Sequence, residues 1–572
     1  MVVSGRSRDV GVETDVPVVM RDGTTLRADV YSPPAGGPYP CVVYRTPYGK
    51  TGRFGPGPLA DNIASRGYIV AVQDIRGRFS SDGDFTPVYV REGRLDAEDG
   101  FDTVQWAATL ANCTGQVGVL GSSYPAALAW ELAPTQPPAL VAMCVHGMVG
   151  DSRSVWPGVG RLSMSVPWNM LDFATDLHVR SGRHEGPLDL DDAYRLWEFE
   201  HGKWLWYLPV ARIPDSRLSG VAAHWRHWLA RQQYDTFGYH TRCSSIDVPV
   251  YHVGGWYDMC VGGIDLYTTM LERAATEQAR RNQKLLVGPW SHDGVGASRV
   301  GDLDFGPEAE TTFADEASRW FDHWLKGKGD GIDVEPPVKL FVMGANRWRT
   351  EEEWPLARAE VTTLFLRSGG KANTPAGDGR LAREAPAEEP ADSFVYDPRD
   401  PVPTLFVGPY AYGAPFDQRV LDHRRDVLIY QSEPLREAIE VTGSVEVVLF
   451  AASSATDTDW TAKLVDAYPD GRAFNISHAL LRGRYRESFD APRLLEPDRV
   501  YEYRFHLHPT SNLFRPGHRI RADISSSDFP NYDRNHNTGG NDWEEVELRP
   551  ARQRVFHDAN HASHLLLPTV RS

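Results

Sequence analysis

Short apolar runs rich in β-branched and aromatic residues recur along the first part of the chain, each bounded by turn signals. Val16 to Met20 leads into a hairpin at Asp22-Gly23, and Leu26 to Tyr31, Pro40 to Arg45, Tyr68 to Gln73, Val117 to Leu120 and Leu140 to Val145 follow with helical stretches between them. That rhythm predicts a mainly parallel sheet covered by helices. Val248 to Val253 and Lys284 to Val287 repeat it after a gap and read as the last strands of the same sheet. Residues 146–245, between the two sets, have another character. Their Trp-dense stretches WEFEHGKWLWYL and HWRHWLARQQY predict a helical cap inserted between sheet strands.

An amphipathic helix from Phe313 to Lys326 stops at glycine, and past residue 350 the pattern changes again. SVEVVLFAAS, TAKLVDAY with its turn at Pro469-Asp470-Gly471, and HRIRADISSS alternate as the strands of a β-sandwich or jelly roll do. The Ala/Pro/Glu/Gly stretch at 370–391 reads as a surface loop. The expected plan is α/β: a sheet domain from 1–145 and 246–350, a helical cap from 146–245, and a C-terminal jelly roll from 351–572.

Composition narrows the function by exclusion. At 572 residues the chain is too long for one hydrophobic core, and 41% hydrophobic residues supply several. The net charge of −17 comes without any Lys/Arg block that could track phosphates, which argues against nucleic acid as a partner. No run approaches the roughly 18 apolar residues of a membrane span, and the N-terminus lacks the apolar core of a signal peptide, so a cytoplasmic protein, monomeric or homodimeric, is expected. Cys41, Cys113, Cys144, Cys243 and Cys260 are scattered and read as reduced thiols, and with neither HExxH nor CxxC present no metal or cofactor is expected. Gly49-Lys50-Thr51 echoes a phosphate loop, but its earlier glycine is replaced by Tyr44.

The chemistry concentrates in GQVGVLGSSYPAALAWELA, an apolar strand, a Gly-Ser-Ser-Tyr turn and a helical pattern. A turn that tight from strand to helix demands a small residue two places before the nucleophile, a role Gly121 fills for Ser123. Taken alone, a Gly-Ser-Ser turn could equally be a helix cap. A serine hydroxyl needs a base, and candidates follow in the order expected of α/β-hydrolases: Asp258 after the strand PVYHV, and His292 after the strand KLLV. The oxyanion of a tetrahedral intermediate needs two donors, for which the Tyr124 backbone N–H and the Tyr48 hydroxyl, in a loop at another strand end, are placed.

With these residues in view the chain resembles the CocE/NonD hydrolases, the family of the bacterial cocaine esterase, which are related to X-prolyl dipeptidyl aminopeptidases and α-amino acid ester hydrolases. The resemblance runs nearly the full length through RTPYGK, QDIRGRFSSDGDF, GSSY, GGWYD, VGPWSH, KLFVMGANRWR, TDTDWTAKLVDAYPDGRA and PGHRIRADISSSDFPNYDRNHNTGG. It implies an α/β-hydrolase domain, an inserted cap and a C-terminal jelly roll, with Ser123, Asp258 and His292 as the triad and Tyr48 and Tyr124 as the oxyanion hole. The chain departs from the family at Pro125 and Ala126 in the elbow, usually G-x-S-Y-x-G, and at Phe79, where relatives carry glycine.

Relatives that act on free α-amino groups resemble one another in carrying carboxylates just after the triad aspartate; here stand Met259 and Cys260. That favours a neutral acyl group, and a small-molecule carboxylic ester with an aromatic or short aliphatic acyl part is the expected substrate. Trp156 and Trp168 stand where the resemblance puts aromatic side chains around the acyl pocket, and Leu405 and Phe406 are candidates to close it from the C-terminal part. An X-Pro peptidase or α-amino ester hydrolase using the same triad is the alternative, and a pure binding protein would need the triad to be vestigial.

Overall fold

The computed structural model describes residues 10–34, 36–151, 153, 159–182, 186–231, 235–329, 331–373, 375–411 and 413–571. Its first sheet carries β1 (Gly11–Val19), β2 (Thr25–Ser32), β3 (Tyr39–Thr46), β4 (Ile69–Asp74), β5 (Cys113–Ser122), β6 (Leu140–His146), β7 (Val250–Gly255) and β8 (Lys284–Gly288). A two-residue pair, β9 (Arg299–Val300) and β10 (Leu303–Asp304), stands apart, and β11 (Val338–Val342) and β12 (Arg347–Glu351) complete the sheet. The spatial order is β1-β2-β4-β3-β5-β6-β7-β8-β11-β12, parallel from β4 through β11, with antiparallel pairs at both edges.

β8 is therefore not the last strand of the sheet, as the sequence pattern suggested. β11 adds to it in parallel and β12 returns as a hairpin. Both are easily missed. β11 is a five-residue run parted from β8 by the Phe313–Lys326 helix, and β12, Arg-Trp-Arg-Thr-Glu, is an edge strand without apolar alternation.

Between β6 and β7 the chain forms short helices, among them Leu162–Pro167, a π-helical turn at Trp168–Phe173, Ala174–Arg180, Leu190–Phe199 and Ala222–Leu229. This cap shares one hydrophobic core with the sheet domain. Trp225 and Trp228 are fully buried, and Trp228 stacks on Tyr89 of the sheet domain at 4.5 Å. Truncating either tryptophan to alanine costs about 3–5 kcal/mol in a core of this kind.

The C-terminal part is a β-rich jelly-roll domain in which the strands Glu446–Ser453, Asp459–Ala467 and Ala473–Arg482 are buried along most of their length and supply a second large core. That core takes in side chains of the sheet domain. Trp256, just past β7, lies 5.9 Å from the Trp354 ring and donates its indole N–H to Phe341 O. The cap is clasped from the same side: Trp543 covers Gly160, where a Cβ would meet the indole at 2.2 Å, and its carbonyl accepts the Ala211 N–H.

Candidate active site

In an open parallel sheet the crevice for a ligand opens outside the carboxyl ends of the strands where the order reverses. Here the chain runs from β3 outward to β4 and then returns past β3 to β5, so the loops after β3 and β5 face one another. They carry Tyr48 and Ser123.

Ser123 holds φ 62° and ψ −123°, a strained conformation for a residue with a side chain. Two backbone features over-determine it. The Ser123 N–H donates to His146 O at 2.9 Å, and a Cβ at Gly121 would come within 2.4 Å of the Pro125 backbone. Pro125 itself costs nothing here, because it occupies the first turn of the Tyr124–Leu132 helix, where an N–H has no intrahelical partner. Ala126 is buried and accommodated. The same helix start leaves the Tyr124 N–H outside the helical ladder, beside the serine.

The Ser123 hydroxyl lies 2.9 Å from His292 Nε2, and His292 Nδ1 lies 2.8 Å from Asp258 Oδ1. That Asp258 oxygen also accepts the Cys260 N–H at 2.7 Å. Burial opposes ionisation of Asp258, but His292, His146 and the Cys260 amide outweigh it and hold the carboxyl below its ordinary range. For His292 burial opposes protonation, and the Asp258 charge and hydrogen bond overcome it, so its pKa lies above that of an ordinary histidine. Gly147 makes room for the ring. It has φ +62°, and a Cβ there would approach His292 Cε1 to 2.9 Å. Nothing in the sequence pattern pointed to Gly147 beyond its position just after an apolar strand.

Tyr48 is half-buried, and its hydroxyl oxygen accepts the Trp168 indole N–H at 2.9 Å. An oxygen so occupied keeps its own hydrogen to donate elsewhere. Burial, followed by the nearby Asp172 charge, pushes the phenol well above its usual range, so the proton stays on. The loop is stapled by Arg78, fully buried, which donates to Pro47 O at 2.8 Å and to Phe173 O at 2.9 Å. Phe79, next to it, adopts φ +44° and its ring would lie 3.1 Å from a Cβ at Gly49.

Trp168 is buried among Tyr89, Tyr124 and Phe173, with ring centroids 4.8–5.9 Å away. Trp156 lies outside the described residues. Met259 and Leu405 line one small cavity, of about 40 Å³, together with Trp256, Tyr257 and Ile476 on one hand and Arg161, Lys463 and Asp528 on the other, so their surroundings are mixed. Cys260 is buried with its thiol toward His292, and burial pushes that thiol up, leaving it neutral. Phe406 lines a different space, a cleft of about 650 Å³ between cap and C-terminal domain that also holds Trp206 and Phe529.

The structure adds a carboxylate that sequence spacing did not reveal. Asp172, in the π-helical turn, accepts the Tyr194 hydroxyl on Oδ1 at 3.0 Å and the Tyr410 hydroxyl on Oδ2 at 2.6 Å. Burial pushes its pKa up to about 7 against those two donors. The acidic run Asp189 to Asp192 is occupied otherwise: Asp189 caps its own helix and Asp191 pairs with Arg53 at 2.8 Å. Among the described residues one set of metal-binding residue types comes together, Asp258, Cys260 and His292, and within it His292 Nδ1 and Asp258 Oδ1 are already hydrogen-bonded to each other. No helix among the described residues is long and apolar enough to cross a membrane.

Comparison with known proteins gives the same outline. A family profile described as X-Pro dipeptidyl-peptidase (S15 family) matches residues 22–294, and one described as X-Pro dipeptidyl-peptidase C-terminal non-catalytic domain matches 330–566. A cocaine esterase from Rhodococcus sp. (strain MB1 Bresler) is 36% identical over 98% of this chain and 99% of its own. Among solved structures, an aminopeptidase from a marine sediment Thaumarchaeota archaeon superposes with a TM-score of 0.82 at 25% identity, over 98% of this chain and 97% of its own. An α-amino acid ester hydrolase does so with a TM-score of 0.78 at 26% identity, over 99% and 98%.

Proposed function

Because the chain belongs to the CocE/NonD serine hydrolases, the family of the cocaine esterase, we propose that it cleaves carboxylic esters with a neutral aromatic or short aliphatic acyl group, through an acyl-enzyme on Ser123. His292 takes the Ser123 proton as the oxygen attacks the carbonyl carbon, and Asp258 orients the imidazole and balances the imidazolium. The oxyanion is met by the Tyr48 hydroxyl and the Tyr124 N–H. His292 then protonates the leaving alcohol, and water, deprotonated by the same nitrogen, releases the acid.

The observation that carries this reading is the unbroken chain from Asp258 Oδ1 through His292 to Ser123 Oγ, with links of 2.8 and 2.9 Å; the oxyanion role of Tyr48 is supported by its ring packing 6.1 Å from that of Tyr124 and by a hydroxyl oxygen that already accepts the Trp168 N–H. The neutral-acyl preference rests on the surroundings. A substrate ammonium would lose its water, and the buried Asp172 already accepts a tyrosine hydroxyl on each oxygen.

The S15 match favours the second reading, cleavage beside a free α-amino group, in which Asp172 would have to exchange a tyrosine hydroxyl for the ammonium. A panel of aryl acetate, butyrate and benzoate esters, a matched α-amino ester and an X-Pro anilide separates the two. Neutral esters are expected to exceed the others by at least about 10²-fold in kcat/KM, the factor that corresponds to about 2.7 kcal/mol. Equal or better turnover of the X-Pro anilide would overturn the ester reading in favour of the peptidase.

A further inference from the structure

The elbow carries two adjacent serines, and the reaction uses one. The other, Ser122, ends β5 with its hydroxyl 2.8 Å from Nδ1 of His146, the last residue of β6. His146 is buried, and its Nε2 faces Asp258 Oδ2 at 3.4 Å. At that distance the two atoms make no hydrogen bond as placed, and neither has a hydrogen-bond partner among the described residues. Two buried polar atoms that are each unpaired and face one another are satisfied together or not at all.

Chemistry then dictates which atom holds the proton. A carboxylate oxygen only accepts, so a lone pair on His146 Nε2 would leave both atoms orphaned and repelling. With the proton on Nε2, that nitrogen donates to Asp258 Oδ2, and Nδ1 is left to accept the Ser122 hydroxyl. We propose that Ser122 and His146 are positioning residues of the active site: Ser122 Oγ–H selects the Nε2–H tautomer of His146, and His146 holds Oδ2 of Asp258 so that Oδ1 stays aimed at His292. The proposal rests on the Ser123–His292–Asp258 assignment above.

The arrangement suits a group that is to stay neutral. Burial, with His292 adding to it, lowers the His146 pKa to about 4 against the pull of Asp258. His146 is accordingly a dipolar donor near pH 7, not a second cation competing with the imidazolium. The groups facing it are Ser122 from β5, Asp258 from the loop after β7, His292 from the loop after β8, and the Phe313 ring at 5.9 Å. Cys260 and Asp293 stand beside the same pair, and burial pushes both up. Withdrawing the His146 donor leaves Asp258 with more charge to share with His292, so the imidazole becomes a stronger base and the acid limb of activity moves to higher pH.

Three variants test this in the full chain, with an aryl butyrate as substrate and a fluorophosphonate as a label of Ser123 that is indifferent to acyl preference. His146→Leu is expected to lower kcat about 10- to 10²-fold with KM within about twofold, and to raise the acid limb by about half a pH unit or more. His146→Gln, whose amide N–H reaches the place of Nε2–H, is expected to restore most of the rate and the original limb. Ser122→Ala is expected to lower kcat about threefold and to slow labelling in proportion, since the tautomer is then only partly selected. A ¹⁵N spectrum of the wild-type protein is expected to show His146 protonated on Nε2. A folded Leu variant with unchanged kcat and pH profile, a Gln variant no better than Leu, or an Nδ1–H tautomer overturns the proposal. If the Leu variant does not fold, an unaltered profile in Ser122→Ala does so alone. Failure of the fluorophosphonate to label Ser123 in the wild-type protein refutes the triad assignment instead.

Discussion

The reacting side of the site and the side that faces the substrate are built by different means. Ser123, Gly147, Asp258 and His292 all follow directly on strands of one parallel sheet, within a few residues of β5, β6, β7 and β8. Their relative positions are set by backbone pairing between neighbouring strands, which side-chain changes elsewhere disturb little. The facing wall is collected from three parts of the chain: Tyr48 from the loop after β3, Trp168 and Asp172 from the cap, and Tyr410 from the C-terminal domain. It exists only while those parts are docked. On the proposed function, chemistry would sit on the rigid element, and selectivity on an assembly whose contacts can be changed one at a time.

The largest effect expected from breaking this division is at the nucleophile. Ser123→Ala should lower kcat by at least about 10⁴-fold while the thermal transition and circular dichroism stay as in the wild type, because it removes the attacking oxygen and leaves no cavity. A dead Ser122 variant beside an active Ser123 variant would show that the elbow is read one residue out of register.

On the facing wall the effects shrink with distance from the oxyanion. Tyr48→Phe is expected to reduce kcat by roughly 10²-fold with little change in KM, since the hydroxyl is used mainly as charge develops on the carbonyl oxygen. Trp168→Phe, which removes the N–H on the Tyr48 oxygen but keeps an aromatic ring, should reduce it about threefold to tenfold. An unchanged kcat in Tyr48→Phe would return that residue to a packing role.

Tyr410→Phe should act on selectivity more than on rate. It frees one oxygen of Asp172, and the ratio of α-amino ester to neutral ester turnover is expected to rise about tenfold, corresponding to one buried charged hydrogen bond. A constant ratio would show that Asp172 does not sense the acyl group.

The gentlest perturbation is pH. His292 must be neutral to accept the serine proton, and its pKa is raised, so activity should be low in acid and rise through a single ionisation above the ordinary histidine value of about 6.5. An acid limb below that value in a kcat/KM profile would contradict the Asp258–His292 coupling.

Short local patterns carried much of this molecule in legible form. Apolar runs ending in Gly-rich loops marked β3, β5, β7 and β8; of the residues just beyond them, Ser123, Asp258 and His292 are joined by hydrogen bonds, and Tyr48 packs its ring 6.1 Å from that of Tyr124. Other features had no such signature. β11 and β12 carry no such mark because a five-residue run and a polar edge strand resemble loop; β11 takes its place from pairing with β8, some fifty positions earlier, and β12 only follows it as a hairpin. Gly147 looked like any loop glycine until His292 came to lie against it.

A strand followed by a tight turn announces itself because its hydrogen bonds and its steric limits involve neighbours in sequence: Gly121 must be small for reasons that lie four and five residues away, at Pro125 and Ala126. The indole on Tyr48, the two tyrosine hydroxyls on Asp172, and His146 opposite Asp258 involve partners 120, 22, 238 and 112 positions apart, the last counted from 146 to 258. Such pairs leave no periodic trace, because burial and orientation, which turn a common residue into a donor or a countercharge, arise only when sheet, cap and C-terminal domain have packed together.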